Sequence, residues 1–278
     1  VEFDRDSQIQ GVWKKNSVSE NVNLAHGENS GAYFTFDTTT SSDVNYRIAI
    51  SYVSIENAKE NLENESINED FKTYKQTTEA AWDFNLSKII VESANKDRKT
   101  QFYTNLYHAL IHPNIVSDVN GEYMGADFKV HKTNLEAQYS SFSVWDTYRT
   151  QAQLLAILFP KQSSDMMQSL VDFADQSGGF GRWILANIET GIMQGDPTPI
   201  LISNSYVFGA TNFDFKKAYY HMKNGATIPL LYSQDKEIRP YLTEYLRDGH
   251  TFASMMLEYT SSDFAIGQFA LQALNLEE

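Results

Sequence analysis

At Ser54 the hydrophobic period of this chain changes from two to that of a helix, and one layer of secondary structure cannot accommodate both. Upstream, GAYFTFDTT is followed by DVNYRIAISYVSI, in which Val44, Tyr46, Ile48 and Ile50 alternate with Asn45, Arg47 and Ala49. That alternation predicts half-buried strands. They read as the last strands of an antiparallel sheet, and because two or three strands are marginal alone, the rest of the sheet is expected upstream. Downstream, IENAKENLENESINEDFKTYKQTTEAAWDFNLSKI predicts a connecting helical segment with a break near Asn64 to Asn68.

Beyond this segment the spacing predicts helices over 98–111, 144–159, 161–176, 199–210, 214–224, 239–247 and 252–274. Polar or Gly-rich connections such as HPNIVSDVNGEYMGADFKVHK and DQSGGFGRW separate them. Helix after helix with loops of unequal length points to a helical toroid or solenoid, although no repeat of fixed period is present. In such a barrel the long loops at one end build the active site.

With 22 Lys+Arg against 36 Asp+Glu, the net charge of −14 argues against nucleic acid or anionic lipid as partner. The absence of cysteine removes disulfides, thiolate chemistry and Cys-ligated metals, and leaves the compartment open. No apolar run of about 20 residues predicts a membrane span. The opening VEFDRDSQIQ carries neither an initiator Met nor a signal-peptide pattern, so the natural N-terminus is expected upstream. Aromatic residues, at 13% of the chain, suit sugar stacking as well as they suit a core.

Three constellations can carry chemistry. In FASMMLEYTSSDFAIGQFAL, Phe252 to Leu271, Glu258 sits in an apolar helical pattern, where desolvation favours the protonated acid. Its alternative is a Glu that snorkels or pairs with a structural cation. Asp263, five positions on and about 140° round the axis, does not share its face. In FSVWDTYRT, Trp145, Asp146 and Arg149 combine a stacking plane, a hydroxyl acceptor and a cation; Asp146 serves equally as a helix cap. In RWILANIETGIMQGDPTPILISNSY, Asn187, Glu189 and Asp196 crowd a Gly-rich loop beside Trp183, either a sugar or cation site or a capping loop. The histidines form no metal signature, and the DVNGEYMGAD run lacks the closing bidentate Glu of an EF-hand.

Taken in order, GAYFTFD, ISYVSIENAKENLENE, FYTNLYHALIHPNIVSDVNGEYMGAD, SVWDTYRT, ANIETGIMQGD and LEYTSSDFAIGQFA resemble glycoside hydrolase family 92, the calcium-dependent exo-acting α-mannosidases. The resemblance implies an α+β chain: the C-terminal strands of an antiparallel β-sandwich, then a helical linker and part of an (α/α)6 toroid. The boundaries it implies are 1–63 for the end of the sandwich with the linker start, and 64–278 for the linker and first half of the catalytic toroid. It makes Glu258 the general acid and places Asp146 on hydroxyls of the terminal mannose, with Trp145 and Arg149 shaping that pocket. Asn187 and Glu189 are further candidates for the substrate site.

The same resemblance implies Ca2+, with ligands that the sequence does not assign, and an inverting reaction whose base comes from a GNDD motif absent from these residues. The chain departs from the family pattern at Asn187-Ile188-Glu189-Thr190, at Asp196-Pro197 and at His250-Thr251-Phe252, which bears on linkage. The expectation is therefore a truncated, inactive piece of an inverting α-mannosidase acting on α-1,2-linked mannose of N-glycans or mannan. The alternatives are another (α/α)6 sugar enzyme and a non-catalytic helical glycan-binding or scaffold protein.

Overall fold

The structure, a computed structural model, describes residues 1–66 and 70–276. It divides into two compact units, 1–50 with 58–78, and 51–57 with 79–278. Helices α1 (Ile55–Glu65) and α2 (Phe71–Leu86) each contribute to both. Residues 67 and 68 of the expected break lie outside the described residues, and α1 ends at Glu65.

In the first unit, strand Ile9–Lys14 is central to a three-stranded antiparallel sheet, flanked by Ser17–Glu20 and Ser30–Thr35. The GAYFT strand is therefore present as expected. Gly31 permits it, because a Cβ there would enter the Trp13 ring across the ladder. Phe3 packs its ring 5.0 Å from Phe34 and 4.9 Å from Phe36.

The alternating run after Asp43 behaves differently from the expectation. Only Tyr46–Arg47 pairs, with Glu2–Phe3, and Tyr46, Ile48 and Ile50 are exposed while Arg47 and Ala49 are partly covered. Arg47 holds the strand down through its guanidinium, which donates to Ser66 O and to Glu2. From Tyr46 to Ile50 the covered side chains are thus Arg47 and Ala49, whereas before them Val44 is covered and Asn45 exposed, a parity that alternation cannot specify.

The second unit contains α3 (Lys96–Ala109), α4 (Val144–Thr147), α5 (Gln151–Leu158), α6 (Pro160–Ser177), α7 (Thr198–Val207), α8 (Phe215–Thr227), α9 (Leu242–Asp248) and α10 (Ala253–Leu274). Local chemistry sets their ends. Asn95 and Asp214 cap α3 and α8 by accepting from Arg98 N and Lys217 N. Pro160 opens α6 where no N–H is needed, and Gly178, at φ 99°, closes it.

The single helix expected over 144–159 is two. The break at Tyr148–Thr150 frees the Tyr148 carbonyl, which Gln153 Nε2 takes at 2.9 Å and Asn204 Nδ2 at 3.5 Å. The connection expected between α3 and α4 is partly strand: Glu122–Met124 pairs with Val130–Lys132, and Asn114–Ile115 with Tyr139–Ser140.

Helix α6 is the centre of the core, with Leu170, Val171 and Ala174 fully buried, and α5, α7 and α8 pack round it. Each large apolar side chain so buried stabilises the fold by roughly 1.5–3 kcal/mol. Helix α10 lies on α7 and α8 through Tyr259, Ser262, Ala265 and Phe269, spaced three, three and four apart as one helical face requires. Its other apolar side stays open: Leu257 is 63% exposed, Phe264 70% and Leu271 49%. Among the described residues no helix is long and apolar enough to cross a membrane.

Candidate active site

Two segments run side by side and bring the candidate residues together. Ile184 N donates to Phe142 O at 2.9 Å, and Trp145 N to Arg182 O at 3.3 Å, so FSVWD and GRWI are zipped at both ends. Val144, fully buried, anchors the first of them. Trp145 and Trp183 consequently project from adjacent backbones.

Each indole then donates to a carboxylate. Trp145 Nε1 lies 2.8 Å from Oε1 of Glu258, across 113 residues of sequence. Trp183 Nε1 lies 3.0 Å from Oδ2 of Asp146. The Asp146 side chain thus takes an indole N–H at the start of α4, where no side-chain cap bond forms. Arg149 places its guanidinium carbon 4.7 Å from the Trp145 ring centroid and 5.0 Å from that of Tyr148, stacking a cation on the wall of the site.

Glu258 is half-buried rather than enclosed by apolar neighbours, since Leu257 beside it is largely exposed. The Trp145 indole N–H donates to it, and the Gly195 loop approaches it closely. Gly195 has φ 80°, and a Cβ there would overlap Oε2 of Glu258, so this position needs glycine for both conformation and space.

Glu189 is 2% exposed, and backbone N–H groups occupy it: Oε2 accepts from Arg182 N at 2.9 Å and Trp183 N at 3.3 Å, and Oε1 from Gly191 N at 2.9 Å. Burial pushes its carboxyl above the usual glutamate range, against the pull of these N–H groups and of Arg182. Glu189 therefore braces the bend that carries Trp183. Asn187 points elsewhere, donating to Gly125 O at 3.1 Å and lining a separate cavity of about 240 Å³ with Tyr52, Tyr123, Phe128 and Tyr139.

Sequence reasoning missed Arg239. It is 1% exposed, with Nε 2.8 Å from Asp196 Oδ2 and Nη1 2.7 Å from Asp263 Oδ1, and Tyr245 OH donates to Asp263 Oδ2 at 2.8 Å. Ser262 Oγ lies 2.5 Å from Asp196 O and 3.0 Å from Glu258 O, tying this network to the turn that presents Glu258. An arginine at the predicted start of a helix carried no signal that it is buried.

The acidic run after Ser117 is used internally. Asp118 Oδ2 accepts from Ser51 Oγ at 2.7 Å and Asn57 Nδ2 at 2.8 Å, Glu122 accepts from Asn57, and Asp127 meets His131. Among the described residues no group of three or more carboxylate or imidazole side chains could hold a metal ion.

Residues 57–278 match the glycosyl hydrolase family 92 catalytic domain. Among solved structures, the chain is similar to the family GH92 α-mannosidase BT3965 from Bacteroides thetaiotaomicron, with 25% identity and a TM-score of 0.80 over 98% of this chain and 38% of that one. The same protein in complex with mannoimidazole superposes with 24% identity and a TM-score of 0.80, covering 98% and 37%. The family GH92 inverting mannosidase BT2199 from the same organism shares the fold, with 21% identity and a TM-score of 0.86 over 99% of this chain and 38% of that one. No functionally curated protein matches the sequence. The chain spans about 38% of the length of the first two mannosidases named, BT3965 and BT2199. The match over 57–278, four-fifths of the chain, places it in glycosyl hydrolase family 92.

Proposed function

We propose that this chain carries the acid half of the active site of an inverting, exo-acting α-mannosidase, acting on α-1,2-linked mannose of N-glycans or mannan. The observation that carries this reading is Glu258 held through one oxygen by Trp145, next in sequence to the exposed Asp146. Relatives described as α-mannosidases, one bound to mannoimidazole and one described as inverting, support the substrate class and stereochemistry. On the same reading, 1–63 is the end of a β-sandwich with the linker start, and 64–278 the linker and first half of an (α/α)6 toroid.

In this reading Glu258 protonates the glycosidic oxygen as the C1–O bond breaks. Water attacks C1 from the opposite face and gives its proton to a base, releasing mannose of inverted configuration and leaving Glu258 ionised. Asp146 keeps Oδ1 for the sugar hydroxyls, because Trp183 holds Oδ2. Trp145 and Arg149 form the wall. Glu189 acts through the loop it braces, and Asn187 lines its own cavity rather than the Glu258 pocket.

Calcium enters with the family resemblance. Among the described residues no three carboxylate or imidazole side chains converge on one point, so their acidic side chains do not by themselves form a calcium site and no step is assigned to the ion.

The test is release of mannose from α-1,2-mannobiose by the natural gene product, with Glu258→Gln and with chelator as arms. Release that is lost in the variant supports the reading, and chelator-sensitive release supports the calcium that the family resemblance implies. Undiminished release by Glu258→Gln contradicts it.

A further inference from the structure

We propose that Trp145 is the positioning residue of Glu258: its indole N–H holds Oε1 and thereby makes Oε2 the oxygen that carries the proton. The inference rests on reading Glu258 as the acid. Three observations converge on it. The indole N–H lies 2.8 Å from Oε1. Arg149 is stacked on the same ring, fixing its plane. On the Oε2 side stands Gly195, whose missing side chain is what leaves that oxygen its place.

The chemistry follows from what an indole can do. Its nitrogen is a donor with no acceptor lone pair in the ring plane. A proton on Oε1 directed at Nε1 would set two donors against each other, whereas a proton on Oε2 leaves the Trp145 bond intact. A hydroxyl or amide in this place could reverse its role, and the acid could then hold its proton on either oxygen. Trp145 removes that freedom, so the acid keeps one orientation through protonation and proton release. The neighbouring charges do not compete for Glu258: Arg149 lies on the ring, Asp146 is held by Trp183, and Asp196 and Asp263 are turned to Arg239.

The 278-residue chain contains four tryptophans, so indole 1H–15N spectra resolve the bond directly. The Trp145 resonance, assigned with Trp145→Phe, is expected to shift with pH in a single carboxylate transition that disappears in Glu258→Gln. In the active gene product, Trp145→Phe keeps an aromatic ring on this wall and removes the donor. Its kcat is expected to fall about 10-fold or more with KM little changed, because a hydrogen bond to the reacting group is lost. Losing a donor to the ionised form also moves the alkaline limb of the pH–rate profile upward.

A Trp145 resonance indifferent to pH, or titrating identically in Glu258→Gln, overturns the proposal. So does a Trp145→Phe enzyme with an unmoved alkaline limb and equal losses through KM and kcat, which is the behaviour of a packing residue. The spectrum reads the bond without turnover, so a failed pairing shows there whatever the assay gives, and a failed mannosidase reading shows in the assay alone.

Discussion

Glu258 and Asp263 leave the same helix five residues apart and end in opposite surroundings. Asp263, partly covered like Glu258, is ion-paired to the buried Arg239, which also holds the buried Asp196. Glu258 is half open, takes a neutral donor from Trp145, and among the described residues has no ion pair. The first arrangement fits a part of the molecule that must not move. The second leaves one oxygen free of ion pairing, which is what a group that gives up and regains a proton requires.

The contrast breaks most severely at Arg239. Arg239→Met leaves Asp196 buried without its cation and is expected to cost about 3–5 kcal/mol of stability, read as a lowered denaturation midpoint in urea. Gly195→Ala sharpens the other side: the positive φ and the overlap with Glu258 predict a loss of about 1–3 kcal/mol, accompanied by a displaced Trp145 indole resonance.

A surface carboxylate gives a smaller effect. Burial pushes the Asp175 carboxyl up, but hydrogen bonds from Lys217 and His221 outweigh it and hold it below the usual aspartate range. Its contribution is therefore present above the unfolded value near 4 and is lost as pH falls through the lower folded value. With the side chain about a third exposed, solvent screening limits Asp175→Asn to about 0.5–1 kcal/mol at neutral pH, shrinking in acid. Glu258→Gln is expected to change stability least, within about 0.5 kcal/mol, because the amide oxygen still accepts from Trp145. A large loss there would erase the contrast between the two carboxylates.

The helices from Lys96 onward were legible because apolar spacing and local caps such as Asn95, Asp214 and Gly178 act within a few residues of where they are written. The break after α4 was not, since the carbonyl it frees at Tyr148 is met in part by Asn204, 56 residues away. Alternation after Asp43 indicated strand yet not which side chains are covered, and from Tyr46 to Ile50 these are Arg47 and Ala49. In the site, the motif around Asp146 and the lone carboxylate at Glu258 were readable as separate features. That an indole joins Trp145 to Glu258, and a buried arginine fixes the loop beside it, depends on packing across the unit and is written in no local pattern.

The most direct measurement compares two α-mannosides on the natural gene product and its Glu258→Gln variant: mannobiose, whose leaving group needs a proton, and dinitrophenyl mannoside, whose leaving group does not. If Glu258 is the acid, the variant loses about 100- to 10,000-fold on mannobiose and far less on the activated substrate. Equal losses on both, or none on mannobiose, would contradict that role.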